Sequence, residues 1–340
     1  MTLAVAVAVA LFAGLLAYAL FGGADFGSGF FDVTAGGSVR GAELRTQIDH
    51  SIGPVWEANH VWLIFVLVTA WTGFPEPYAA VVSTLFVPLL LALLGIVLRG
   101  ASFAFRKYSA TLEQARLFGV VFAGSSLIAP FFLGTVAGAI ASGRVPADGH
   151  GDRVSSWLNP TSLLAGGIAV GTCSFLAGTF LVADAARGRH TGLAETLRSR
   201  TLLVGAATGA LVVGALEPIR RDAPTLGDNL TGRAAPLIGV SVIAGASALI
   251  LLAVRRYVLA RIAAVGAVAA VVTGWGVAQY PWLLVDQVTI SDGAGASATL
   301  AALLVVVGIA AVLVLPALAY LFWFTQTTDV HLERRRTPIR

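Results

Sequence analysis

Apolar positions in this chain neither alternate with polar ones nor keep to one helical stripe; they run on without a break. Windows free of Asp, Glu, Lys and Arg cover roughly 2–24, 58–75, 77–98, 117–143, 154–183, 201–216, 234–254, 262–285 and 293–328. About 20 consecutive apolar residues let an α-helix cross a bilayer, where lipid offers no partner for a free backbone N–H or C=O. The pattern therefore predicts nine membrane helices. The sixth window is short and stops at Glu217-Pro218, so its helix is expected to run on through Glu217 toward an interface. The second helix is expected to start earlier than its window, near Pro54, whose missing N–H costs nothing in a first helical turn. Connections are short, which makes sequential helices antiparallel neighbours in bundles. No hydrophilic stretch is long enough for a soluble domain, and no repeat stands out. The expectation is a single all-α, polytopic integral-membrane domain over residues 1–340.

Charge adds an orientation. With the N-terminus outside, 17 of the 22 Lys and Arg residues fall in segments left inside and 5 in segments left outside. Cytoplasmic connections carry such an excess, so the N-terminus is expected outside and the C-terminus in the cytoplasm. The isoelectric point near 9.6 follows from these connections and does not call for nucleic acid. A hydrophobic fraction of 57%, a charged fraction of 12% and a mean hydropathy of +0.85 agree with a membrane protein. Cys173 is the single cysteine, which leaves no internal disulfide and no thiolate-held cluster. The N-terminus lacks the basic stretch of a cleavable signal, and residues 2–21 are long enough to span.

Small residues four apart, Gly134 and Gly138, Gly167 and Gly171, Gly205 and Gly209, predict close helix packing. Trp157, Trp275, Trp282 and Trp323 lie near expected span ends and read as interfacial anchors.

Polar chemistry concentrates where the second span opens, at Trp56-Glu57-Ala58-Asn59-His60-Val61-Trp62. At helical spacing Trp56, Asn59 and His60 share one face, with Glu57 one position around. Such a cluster in hydrocarbon is costly unless it is paired or lines a hydrated path. The first span ends in Gly22-Gly23-Ala24-Asp25-Phe26-Gly27-Ser28-Gly29, which places a second carboxylate, Asp25, toward the same membrane face as Glu57. Buried carboxylates of this kind are proton-relay candidates. The alternative is that Asp25 caps a helix or binds an arginine such as Arg99. Glu57-x-x-His60 is half of a di-metal carboxylate motif, but no second Glu-x-x-His exists, so no metal site is expected. Of five histidines, His60, with His50 at most, can reach membrane depth, and the single Met is Met1, so this chain can hardly ligate several haems alone. No nucleotide-binding loop is present.

Several segments, in order, resemble subunit II of the cytochrome bd quinol oxidases, including the cyanide-insensitive branch. They are 24–29, the long stretch 51–64 around Trp56-Glu57-Ala58-Asn59-His60-Val61-Trp62, Phe74-Pro75 with Tyr78-Ala79, Arg99-Gly100 with Phe103 and Arg106, Gly124-Ser125 with Pro130, and Asn159-Pro160 with 163–166. At motif level this covers about the first half of the chain. The resemblance implies a nine-helix subunit in a bacterial cytoplasmic membrane, paired with a haem-bearing subunit I and, in some cases, small accessory membrane subunits. Such complexes oxidise quinol and reduce oxygen to water through haem b and haem d held by the partner. It also implies that Asp25 and Glu57 lie on a proton path from the cytoplasm, and that Trp56, Asn59, His60, Trp62 and Arg99 shape the haem-facing environment near the subunit interface. Other members carry Asp at the position of Glu57. The rival reading is a proton-coupled transporter built on Asp25, Glu57 and His60, which would call for matching broken helices in both halves; the second half has no counterpart of the Trp56–Trp62 cluster.

Overall fold

The computed structural model describes residues 2–37, 40–52, 56–109, 111–188 and 190–336. Gly53, Pro54 and Val55, including the expected start of the second span at Pro54, lie outside the described residues.

Helix follows helix. The first span is α1 (Leu3–Ala17), a π-helical turn (Tyr18–Gly22) and α2 (Gly23–Val33) in one continuous run. Then come α3 (Ala42–Ile52), α4 (Trp56–Gly73), α5 (Pro75–Thr84), α6 (Phe86–Lys107), α7 (Leu112–Ala141) and α8 (Pro160–Arg187). The second half holds α9 (Thr191–Gly214), α10 (Leu216–Asp222), α11 (Pro224–Thr231), α12 (Ala235–Ala253) and α13 (Tyr257–Gln279). A small antiparallel pair, β1 (Trp282–Leu284) and β2 (Val288–Thr289), precedes α14 (Ser297–Arg336). Among the described residues eight helical runs are long and apolar enough to cross a membrane, or nine when α3 and α4, bent by 55° at their junction, count as one span. Each of the nine apolar windows corresponds to one of these runs.

Boundaries differ from the windows in instructive ways. The first helix does not end at its glycines but continues to Val33, which moves Asp25 from a helix end into the interior of a span. The third window is two helices, broken at Leu85, and the second of them runs eight residues past the window's end at 98 through Arg106, so Arg99 belongs to the membrane interior and not to a connection. Charge-free windows stop at the first ion; the apolar stretch 100–105 beyond it carries the helix onward. The sixth helix does run on through Glu217, to Asp222. Trp275 lies in the last turns of α13, with its ring 6.4 Å from Phe12. The side chain of Trp323 lies outside the described residues.

Local signals set the helix starts. Asn159 caps α8 by accepting from the Ser162 N–H at 3.0 Å, with Pro160 at the first helical position. Thr2 and Thr111 cap α1 and α7 in the same way. α8 is the hub and packs against α2, α7, α9 and α13. Glycine permits the close approaches: a Cβ on Gly134 would lie 2.6 Å from the Ala165 carbonyl oxygen, and one on Gly171 2.7 Å from Thr208 Oγ1. Gly209, in contrast, faces open space.

Ion pairs close both ends of the bundle. At one end Asp32, 3% exposed, accepts from Arg45 Nε at 2.7 Å and Arg106 Nη1 at 2.8 Å, tying α2 to α3 and α6. At the other, Asp222 takes both Nη groups of Arg144, at 2.9 and 2.7 Å, and also the Thr161 N–H and hydroxyl, at 3.1 and 2.6 Å. Its bonds to the Asp222 carboxylate raise the pKa of the Arg144 guanidinium above its ordinary value. Asp222→Ala removes the acceptor of the Arg144 guanidinium and of both Thr161 donors and is expected to cost about 1.5–3 kcal/mol. Thermal unfolding of the purified protein in detergent measures it; an unchanged midpoint would show the clamp to be energetically idle.

Candidate functional site

The π-helical turn of the first span decides the site. A π turn breaks the regular ladder and leaves backbone groups to be satisfied from outside. Here the amide of Asn59, on α4, reaches across: its Nδ2 donates to the Phe21 carbonyl at 3.4 Å and to Asp25 Oδ2 at 2.6 Å. One carboxamide thus holds both the broken helix and the carboxylate that follows it. Asp25 is 4% exposed, and the Ser28 hydroxyl donates to its backbone carbonyl at 2.6 Å. The glycines around it serve helix contact. A Cβ on Gly23 would meet Cys173 Sγ at 3.3 Å, and one on Gly27 would collide with the Cys173 backbone carbonyl.

Arg99 enters from α6 and is 1% exposed. Its Cζ lies 4.9 Å from the Phe26 ring centroid and 5.4 Å from that of Phe122, so two π faces flank the cation. Its Nε and Nη2 have no hydrogen-bond partner among the described residues. His60 completes an aromatic enclosure, with ring centroids 5.9 Å from Phe26, 6.1 Å from Tyr18 and 6.0 Å from Trp56. Both of its nitrogens are buried without a partner among the described residues, as is the Tyr18 hydroxyl. Trp56 leans on Phe103 at 5.6 Å, and a Cβ on Gly100 would touch its ring at 3.5 Å.

Of the residues singled out from sequence, Asp25, Asn59, Arg99, His60 and Trp56 come together in this interior. Trp62 flanks it one turn on, stacked on Phe21 at 6.5 Å. Glu57 does not join them: it is exposed on the outer face of α4 and has no hydrogen bond or ion pair among the described residues. Val61, Ile64, Val68 and Trp71, 44–65% exposed, continue that face at helical spacing. Sequence reasoning missed Tyr18, Phe26 and Phe122 as walls. They look like ordinary apolar residues until the π turn brings the first two onto the α4 cluster. Tyr18 and Phe26 also line an apolar cavity of about 530 Å³ that reaches Cys173, Leu230 and Trp275.

The arrangement can hold a carboxyl proton away from bulk water, with a carboxamide and a cation at hand. Among the described residues no three His, Cys, Asp or Glu side chains are grouped to bind a metal ion.

Comparison with known proteins gives a consistent set of likenesses. Residues 3–325 match the family described as cytochrome bd terminal oxidase subunit II. The chain is 32% identical over 141 residues to the cytochrome bd ubiquinol oxidase subunit 2 of Bacillus subtilis (strain 168), covering 41% of each chain. It is 29% identical over 213 residues to the cytochrome bd-I ubiquinol oxidase subunit 2 of Escherichia coli (strain K12), covering 59% of this chain and 52% of the other. The matched stretches thus span about half or less of these relatives' lengths. The bd oxidase structure from Geobacillus thermodenitrificans superposes with a TM-score of 0.77 at 27% identity, over 95% of this chain and 98% of that one.

Proposed function

The chain belongs to the cytochrome bd terminal oxidase subunit II family, and from that premise we propose that it is the second membrane subunit of a quinol oxidase that carries electrons from quinol to oxygen, with water as product. Its partner is the haem-bearing subunit I, and the haems b and d supply the electron transfer and the oxygen chemistry. His60, the histidine of this interior, does not fit haem ligation. A ligand must offer a ring nitrogen to an open face, and both nitrogens of His60 are sealed beneath Phe26, Tyr18 and Trp56.

What this chain contributes is a protonatable interior. The observation that carries the reading is Asp25, a carboxyl buried within a span and tethered to the amide of Asn59 beside a broken helix turn. We place the arginine-bearing end at Asp32, Arg45 and Arg106 in the cytoplasm and the N-terminus outside, so that protons enter from the cytoplasm. An acid is a poor residue to face lipid, so the α4 face bearing Glu57 is where the partner subunit docks, and Glu57 hands protons across. Taking protons from one side while quinol releases its own on the other generates membrane potential without a pump.

The test is a reduced-minus-oxidised spectrum of the tagged chain, gently purified from its native membranes. Bands of b- and d-type haem together with a second large membrane subunit are expected. Both should vanish when this chain is isolated alone. A stable, haem-free protein without a large partner would sink the oxidase reading and favour proton-coupled transport.

A further inference from the structure

Two atoms in the interior are left over. Nε and Nη2 of Arg99 occupy one edge of the guanidinium, where the two N–H bonds run parallel at the spacing of a carboxylate. That edge is buried, inside a membrane span, and unpartnered among the described residues. A cation in such a place is strongly unfavourable without a hydrogen-bonded counter-ion, and the faces of Phe26 and Phe122 satisfy no N–H. Among the described residues the carboxylates nine-tenths or more buried are Asp25 and Asp32, and Asp32 already serves Arg45 and Arg106. Asp25 precedes Phe26, the ring on which Arg99 lies, yet its bonded partner is the neutral Asn59 and not the cation.

We propose that Arg99 is a positioning residue with a second berth for Asp25: the carboxyl rests on Asn59 in one state and on the Nε/Nη2 edge of Arg99 in the other. The inference rests on the reading of Asp25 as a proton carrier and names what moves it. The ionised carboxylate is drawn to the parallel N–H pair. Once protonated it loses that attraction and returns to Asn59, whose amide can both donate and accept. Each protonation state then has its own partner, and the proton is picked up and given off at different points. No other group facing this pocket offers a fixed positive charge or a paired N–H fork: Tyr18 from the π turn, His60 from α4 and Cys173 from α8 are neutral single donors, and Ser125 and Ser126 of α7 are bonded to their own helix at Val121 and Phe122.

The experiment uses the complete oxidase complex with Arg99→Lys, which keeps the charge and removes the fork, alone and combined with Asp25→Asn. Arg99→Lys should retain normal haem content and lower turnover about tenfold. In the Asp25→Asn background the same change should have no further effect, because Arg99 acts through Asp25. A tenfold loss in both backgrounds, or in neither, overturns the proposal. Infrared difference spectra give a second readout. The carboxyl bands of Asp25, identified by their loss in Asp25→Asn, should shift in Arg99→Lys; unshifted bands overturn the proposal. If Asp25→Asn alone turns over at the wild-type rate, the proton-path reading fails, and the infrared shift still decides whether Arg99 receives the carboxylate.

Discussion

Asp25→Asn is expected to leave the haem spectrum and subunit content of the complex unchanged and to slow quinol-driven oxygen uptake by roughly 10²-fold. The substitution is nearly isosteric. Its side-chain oxygen still accepts from Asn59 Nδ2, which sits 2.6 Å from the native carboxylate, so the π turn at Tyr18–Gly22 keeps its cross-link to α4. What disappears is a group that can take and release a proton inside a span. Asp25→Ala would confuse the matter by leaving the Asn59 amide short of a partner, and the amide variant is the cleaner probe. Glu57 supplies the contrast. Because it is exposed on α4, Glu57→Ala should slow oxygen reduction more than it slows assembly, and Glu57→Gln should behave alike. Oxygen uptake and haem content, measured on the same preparations, separate rate from assembly. Wild-type turnover in Asp25→Asn with full haem content would remove the interior carboxyl from the path. A loss confined to the Glu57 variants would place the path along the subunit boundary alone.

The helices and the polar residues were legible in sequence; the distances between them were not. Hydropathy finds spans because the bilayer imposes one condition, that backbone groups be satisfied within the segment, and it imposes it on every span alike. The windows therefore located all nine runs. They cut Asp25 and Arg99 off their spans for one shared reason: a window breaks at an ion, whereas a helix does not when the ion is buried among partners or rings. The α4 face was readable because 3.6-residue periodicity put Trp56, Asn59 and His60 together. Arg99 was readable as a residue of interest but not as a membrane-interior cation, since its position depends on where α6 ends. The π turn had no signal at all in Tyr18-Ala19-Leu20-Phe21-Gly22, which reads as plain apolar helix; the group that meets its Phe21 carbonyl, the amide of Asn59, lies 38 residues away. Glycine spacing was half-informative. It found Gly205, whose added Cβ would lie 2.5 Å from Phe175, and Gly209, where nothing is within reach.

That difference between glycines yields the second large effect. Gly27→Val is expected to prevent accumulation of the complex, and Gly27→Ala to lower its yield and melting midpoint sharply. A Cβ at Gly27 would occupy the place of the Cys173 carbonyl group and would stand 2.7 Å from the Ser174 nitrogen. These are backbone atoms of α8, the hub helix, and cannot turn aside as a side-chain tip would. α2 and α8 would have to separate along a contact that also seats Phe26, Phe31 and Leu176, each 2% exposed or less. Overpacking of this kind costs typically 1–3 kcal/mol, and a rigid backbone obstacle belongs at the upper end or beyond. The same displacement would draw Asp25 from Asn59, so the surviving Gly27→Ala complex should also turn over more slowly than its haem content predicts. Gly209→Ala is the control: the site faces open space within α9, and the change should be neutral or stabilising by up to about 1 kcal/mol through helix propensity. Melting followed by haem absorbance compares the three variants directly. A Gly27→Ala complex as stable and active as Gly209→Ala would mean that α2 and α8 are not in backbone contact, and the enclosure built on that contact would have to be redrawn.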